Sequence, residues 1–205
     1  MKYVKANQRR VTDLNIWCRN IIAEVQRELQ PFFTVDVHLI GSGEKKLVSQ
    51  DENGEFDLDY NLVIQKDKKN LIKDPKQIKM MFMRTFEKVL KARCKNYVHS
   101  YDRTSVVSNK IKYNEMNFKF DVAIMYKENN DCYYKLINDK EGQHYIWNQE
   151  PKSKNYMKRF LVVKNNNKYK EFEKRYFELK NDPSKQKANI KSFSLFLEAL
   201  NEFEQ

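Results

Sequence analysis

The sequence predicts an α+β protein, a mixed β-sheet with flanking helices followed by a C-terminal helical unit, and three observations predict it. Apolar residues recur at helical intervals in the N-terminal thirty residues, strand-type alternation bounded by turn residues fills the middle, and the 3.6-residue period returns from about Lys152.

Residues 8 to 29 place Val11, Leu14, Ile21, Val25 and Leu29 on one stripe that Trp17 and Ile22 widen, and Pro31 ends it, so this is a long amphipathic helix. Val35, Val37 and Leu39 then alternate with Asp36 and His38 in a strand that Gly41-Ser42-Gly43 breaks. A second strand, Phe56 to Ile64, follows the turn residues Gln50 to Gly54. Asp74-Pro75 opens a helix to about Lys95 with Ile78, Met81, Phe82, Phe86, Val89 and Leu90 as its apolar face. Strand-type segments follow near 97–101, 105–113, 118–126 and 132–137, the last two joined by Lys127 to Asp131 as a hairpin. Helices near 153–163, 168–180 and 188–203 are broken by Asn165-Asn166-Asn167 and Asp182-Pro183, and Phe193, Phe196, Leu197 and Leu200 read as core. There is no internal repeat. Gln149 to Ser153 is the expected linker between a sheet domain, 1–150, and the helical unit, 151–205.

Composition narrows the function. With 40% hydrophobic and 13% aromatic residues the 205-residue chain can bury a core, which excludes general disorder despite 33% charged residues. The longest uninterrupted apolar run is five residues, Val122 to Tyr126. A membrane helix needs about 20 and a signal peptide about 7 to 15, so neither is expected. Cys18, Cys94 and Cys132 are odd in number and far apart, against a disulfide framework or thiolate zinc site and in favour of a reducing, cytoplasmic setting. The net charge of +11, of which the last 55 residues carry +6, invites a nucleic-acid partner. Thirty of the 39 basic residues are lysines, however, which also describes a simple solvated surface.

Chemistry concentrates in three places. Gly41-Ser42-Gly43 follows a strand, where glycine backbone and the Ser42 hydroxyl can face phosphate oxygens. It matches neither the P-loop nor the dinucleotide fingerprint, and alone it reads as an ordinary tight turn. Asp57-Leu58-Asp59 sits in an otherwise apolar strand. Residues i and i+2 of a strand share a face, roughly 7 Å apart, so the two carboxylates can hold hard cations between them. By itself the pair also fits an exposed edge strand. Asp121 interrupts the strongly β-forming run Phe118 to Tyr126, and if that strand neighbours Asp57 to Leu62 the three carboxylates share one site. Glu55-Phe56-Asp57 offers a competing register, but Asp57 and Asp59 leave Leu58, Tyr60 and Leu62 together on the opposite face. His38, His99 and His144 lack metal-ligand spacing, and Tyr145 and Trp147 read as packing rather than a base-stacking pair.

Ile40-Gly41-Ser42, Asp57-Leu58-Asp59-Tyr60 and Phe120-Asp121-Val122, in that order, resemble the h-G-[GS], D-h-[DE]-h and distal h-[DE]-h motifs of the DNA polymerase beta-type nucleotidyltransferase superfamily, across about residues 30 to 126. The fourteen residues between Ser42 and Asp57 are a long spacing for that pattern. The resemblance implies transfer of a nucleoside monophosphate from ATP or another nucleoside triphosphate to an acceptor hydroxyl on a small molecule, protein or RNA. It implies Asp57, Asp59 and Asp121 as the catalytic residues, holding two Mg²⁺ ions or Mn²⁺ in their place. Gly41, Ser42 and Gly43 would bind the triphosphate, with Arg159 and Lys164 adding charge from the helical unit. At this length the chain resembles the small members that modify antibiotics, proteins or RNA ends more than templated polymerases or cyclic-oligonucleotide synthases. The alternative is a basic nucleic-acid-binding or partner-binding protein with an inactive core of this type; all three carboxylates are intact. Acceptor, base preference and oligomeric state are open.

Overall fold

The computed structural model describes residues 2–94, 97–113, 116–128, 132–139, 144–150 and 155–203. In chain order its elements are β1 (Val4–Lys5), α1 (Gln8–Leu29), β2 (Phe33–Ile40), α2 (Gly41–Lys45), β3 (Ser49–Gln50), β4 (Asp57–Asp67), α3 (Pro75–Arg93) and β5 (Tyr97–Asp102). There follow β6 (Val107–Tyr113), β7 (Met116–Lys127), β8 (Tyr133–Asn138), β9 (Tyr145–Gln149), α4 (Tyr156–Asn165), α5 (Tyr169–Asn181), α6 (Pro183–Lys187) and α7 (Ser192–Glu202). They divide into two compact units, one of residues 7–48 with 55–150, the other of 1–6, 49–54 and 151–205.

The larger unit is built on a mixed sheet in the order β2-β4-β7-β6-β5, with β8 pairing the far end of β7 and β9 pairing β8. β4 and β7 run parallel, which the long crossover through α3, β5 and β6 permits. Both long helices start at sequence-encoded caps. The Asn7 side chain accepts from the backbone N–H groups of Arg9 and Arg10 at 3.0 and 3.2 Å, and Asp74 accepts from Gln77 N at 2.9 Å ahead of Pro75. The even-numbered residues Leu58, Tyr60 and Leu62 of β4 and Phe120, Val122 and Ile124 of β7 are buried, as are Ile78, Phe82 and Phe86 of α3. Phe120 lies at the centre, with the rings of Trp17, Tyr60 and Phe86 at 6.3, 6.4 and 6.1 Å. Each such side chain contributes about 1.5–3 kcal/mol on burial. One face of β4 and β7 is thereby fixed against helices, and the odd-numbered residues fall on the other.

α3 also carries a lysine into the interior. Lys79 is 1% exposed; its Nζ lies 3.1 Å from Asp102 Oδ1 and donates to the carbonyls of Arg103 and Val106, tying down the β5–β6 turn.

In the smaller unit β1 pairs with β3, and Asn181 of α5 both accepts from Tyr3 N at 2.7 Å and donates to Tyr3 O at 2.8 Å. Phe160, Phe172 and Phe196 form its core, their rings 5.2 to 5.5 Å apart.

Several local expectations change. Gly41-Ser42-Gly43 is the first turn of α2 rather than a loop, and Tyr145 to Gln149 forms a strand where none was expected. Asp182 does not only end a helix: it caps α6 by accepting from Ser184 N and Lys185 N, and the last helix begins at Ser192 instead of 188. Phe193, in the first turn of α7, is 49% exposed although its ring meets those of Tyr156 and Phe196. The turn of the expected hairpin at 129–131 and the linker residues 151–153 lie outside the described residues. Among the described residues no helix is long and apolar enough to cross a membrane.

Candidate active site

Asp57 and Asp59 are the first and third residues of β4 and fall on the sheet face opposite the buried residues Leu58, Tyr60 and Leu62. Asp59 sits mid-sheet, paired with Ile40 of β2 on one side and with Asp121 of β7 on the other. One carboxylate oxygen from each of Asp57, Asp59 and Asp121 falls within 4.8 Å of the others. The parallel register therefore joins residues 62 apart in sequence into one cluster.

The cluster is electrostatically loaded. Burial first, then the charges of Asp57 and Asp121, push the Asp59 carboxyl up to about 7, with Lys119 pulling the other way. The Lys119 ammonium stands 3.1 Å from Asp121 Oδ2 and 3.5 Å from Asp57 Oδ2. Burial lowers its affinity for the proton, but Asp121 and Asp57 more than offset that, and its pKa is raised. Asp121 Oδ1 is buried with no hydrogen-bond partner among the described residues, an arrangement that costs about 1–3 kcal/mol unless something else takes the oxygen. Three converging carboxylates and an orphaned buried oxygen fit a hard divalent cation.

α2 borders this cluster because β2 leads directly into it. Gly41 has φ +66°, and a Cβ there would lie 3.2 Å from Asp59 Oδ2; at Gly43 it would lie 2.9 Å from Leu39 Cδ1. Gly41 favours glycine for conformation as well as contact, whereas at Gly43 the side chain of Leu39 would have to shift. Ser42 follows at the start of the same turn, its carbonyl accepting from Leu47 N at 2.9 Å. Lys45, which is buried, closes the turn by donating to Gly41 O at 3.1 Å.

Arg159 and Lys164 belong to the smaller unit, on α4. There Arg159 Nη2 donates to Asn201 Oδ1 at 2.6 Å, and Lys164 lies over the rings of Phe160 and Tyr169 at 4.6 and 5.6 Å. Glu55 stays outside the three-carboxylate group and lines a cavity beside Asp57. Trp147 is engaged in packing: its Nε1 donates to Ile72 O at 2.8 Å and its ring meets Tyr126 edge-on. Lys119 is the residue that sequence reasoning passed over. Its position two before Asp121, hence on the same strand face, was the available signal.

Solved structures share this architecture. The chain aligns with a STING-associated CdnE c-di-GMP synthase from Flavobacteriaceae sp. at a TM-score of 0.64 and 16% identity, covering 95% of this chain and 64% of that one. It has a nucleotidyltransferase fold. The corresponding c-di-GMP synthase from Capnocytophaga granulosa aligns at 0.58 and 17% identity, over 89% of this chain and 57% of that one. Vibrio cholerae DncV in its 3'-deoxy ATP bound form aligns at 0.56 and 12% identity, over 82% of this chain and 45% of that one. The chain thus spans less than two thirds of each of these proteins. No protein-family model matches the sequence, and no curated protein matches it. Within the nucleotidyltransferase fold, the cluster, α2 and the sheet face between them all lie in the larger unit.

Proposed function

We propose that this chain is a metal-dependent nucleotidyltransferase that moves a nucleoside monophosphate from a nucleoside triphosphate to an acceptor hydroxyl and releases pyrophosphate. The observation that carries the proposal is the β4–β7 register, which brings Asp57, Asp59 and Asp121 to one point on a sheet of nucleotidyltransferase fold. Two Mg²⁺ or Mn²⁺ ions held by these carboxylates supply charge neutralisation for the transferring phosphoryl group and a lowered pKa for the attacking hydroxyl. Asp121 receives the hydroxyl proton as the oxygen bonds to the α-phosphorus and the bond to the pyrophosphate oxygen breaks. Gly41, Ser42 and Gly43 receive the β- and γ-phosphates on backbone N–H groups and the Ser42 hydroxyl. The acceptor in this proposal is a second nucleotide. The chain's length argued against that class, but the likeness to two c-di-GMP synthases supports it over an antibiotic or a protein. A cytoplasmic setting, where triphosphates are held, belongs to the same reading.

The test is turnover. Purified protein is incubated with each α-labelled nucleoside triphosphate and Mg²⁺ or Mn²⁺, alone, in pairs and with RNA, and both pyrophosphate and labelled product are followed. Asp57→Ala, Asp59→Ala and Asp121→Ala should each abolish both signals. Near wild-type turnover in any of the three would overturn the assignment, as would a wild-type protein that releases no pyrophosphate under any combination.

A further inference from the structure

Lys119 stands between two sites. Its ammonium bridges Asp121 Oδ2 and Asp57 Oδ2 at 3.1 and 3.5 Å, yet its side chain is 43% exposed and also lines an open cavity of about 430 Å³ beside the carboxylates. The floor of that cavity is the same sheet face continued outward. Asp121 pairs with Ser108 of β6, and Ser108 pairs with Tyr101 of β5, so at about 4.8 Å per strand Tyr101 lies roughly 10 Å from Asp121. In the next row Lys119 pairs directly with Lys110. Arg103 lines the same wall.

This arrangement has a charge problem with one economical solution. Like charges directly opposite each other on adjacent strands are destabilising, and Arg103 adds a third cation to the pair. Lys119 is kept tolerable by leaning onto Asp57 and Asp121. A divalent cation bound by Asp57, Asp59 and Asp121 claims those same oxygens and displaces the ammonium. On its flexible four-carbon stem the ammonium then turns to the cavity, where Lys110 and Arg103 already stand; with Asp57 engaged by the metal, Glu55 is the carboxylate left to face three cations in that lining, and the surplus favours an anion. The reverse also holds: an anion placed among Lys110, Arg103 and Lys119 draws the lysine off the carboxylates and opens them to metal. Tyr101, on the same face and in the same lining, suits an anion carried on a ring-bearing molecule.

We propose that Lys119 is a mobile counter-ion coupling the carboxylate cluster to an anion site in the neighbouring cavity, so that a divalent metal and a phosphate-bearing acceptor bind with positive cooperativity. The proposal rests on the nucleotidyltransferase reading for its metal and goes beyond it in assigning the cavity and the coupling. Linkage makes the effect reciprocal: whatever factor phosphate adds to metal affinity, metal adds to phosphate affinity.

The experiment titrates Mn²⁺ into metal-free protein and follows the electron paramagnetic resonance signal of the free ion, calibrated in the same buffer with and without inorganic phosphate. Lys119→Met removes the competing ammonium and should tighten Mn²⁺ binding by about fivefold or more without phosphate. Millimolar phosphate should tighten the wild type by a similar factor and change Lys119→Met little. Lys110→Met keeps the bridging ammonium; it should match the wild type without phosphate and lose the phosphate gain. Lys119→Gln, which keeps a polar group at this half-exposed position, should shift in the same direction as Lys119→Met and guards against a folding artefact. A wild type that binds Mn²⁺ in an Asp59-dependent manner but ignores phosphate overturns this proposal alone, as do Lys119 variants that bind metal no more tightly. A wild type that binds no Mn²⁺ overturns the nucleotidyltransferase reading and this proposal with it.

Discussion

Gly41 presents its bare Cα to Asp59: a Cβ at position 41 would stand 3.2 Å from Asp59 Oδ2, and the backbone there holds φ +66°. Gly41→Ala therefore meets two obstacles, about 1–2 kcal/mol of left-handed strain and a carboxylate that has to give way. The expected outcome is a lower urea midpoint together with weakened Mn²⁺ binding. Gly43→Ala is the comparison, because its new methyl group would meet Leu39 and no ligand, so stability should fall with metal affinity less affected. Equal Mn²⁺ affinity in Gly41→Ala and the wild type would show that this contact does not position Asp59.

Asp59 also sets a pH dependence in the metal-free protein. Burial, then Asp57 and Asp121, hold its carboxyl at about 7 in the fold against an ordinary 3.8. Between those values the folded state binds more protons than the unfolded chain, so stability falls as pH rises through that window and the full penalty stands above it. Urea unfolding in a chelating buffer from about pH 5 to about pH 8 should show this decline, superimposed on other titrations. Asp59→Asn should remove it and exceed the wild type in stability at the upper end, while losing Mn²⁺ binding. Parallel pH profiles for the two proteins would refute Asp59 as the origin of the decline.

The parts of this protein legible in the sequence are those where one local signal dominates. α1 and α3 carry long apolar stripes behind side-chain caps, and Asp57, Asp59 and Asp121 stand out as acids on apolar strands whose alternate residues, Leu58, Tyr60 and Phe120, make the core. Distant pairing was legible only as a condition: Asp121 was expected to join Asp57 and Asp59 if their strands neighbour, and the register that makes them do so was not readable. The parallel alignment of Asp59 with Asp121 is a product of topology, and the place of Lys119 follows from it. α2 has five residues, two of them glycine, too few to show a period, and β1 and β3 exist only through each other. Phe193 shares the helical spacing of Phe196 and Leu200, but periodicity does not reveal that in the first turn of α7 it stays about half exposed. Lys79 looks like a polar residue beside the apolar stripe of α3, and only the β5–β6 turn shows what holds it inside.

That buried cation supports a last prediction. Lys79 has its ammonium on Asp102 and on the carbonyls of Arg103 and Val106, while Asp102 Oδ2 accepts from the Tyr145 hydroxyl at 2.6 Å. Burial lowers the lysine's pKa and Asp102 works against that, so the pair exists because each charge answers the other. Removing one partner strands its counterpart. Lys79→Met is expected to cost about 3–5 kcal/mol in urea unfolding, and Asp102→Asn to be destabilising too. The double variant should cost clearly less than the two single changes together, since neither charge is then left alone and the amide introduced by Asp102→Asn can still face the Tyr145 hydroxyl. Additivity within about 0.5 kcal/mol would mean that the two residues act independently. Because Lys79 also fixes the carbonyl of Arg103, Lys79→Met should loosen the wall of the anion cavity. The phosphate-dependent gain in Mn²⁺ affinity should therefore shrink in this variant even under conditions where it remains folded, with Mn²⁺ affinity in the absence of phosphate little changed.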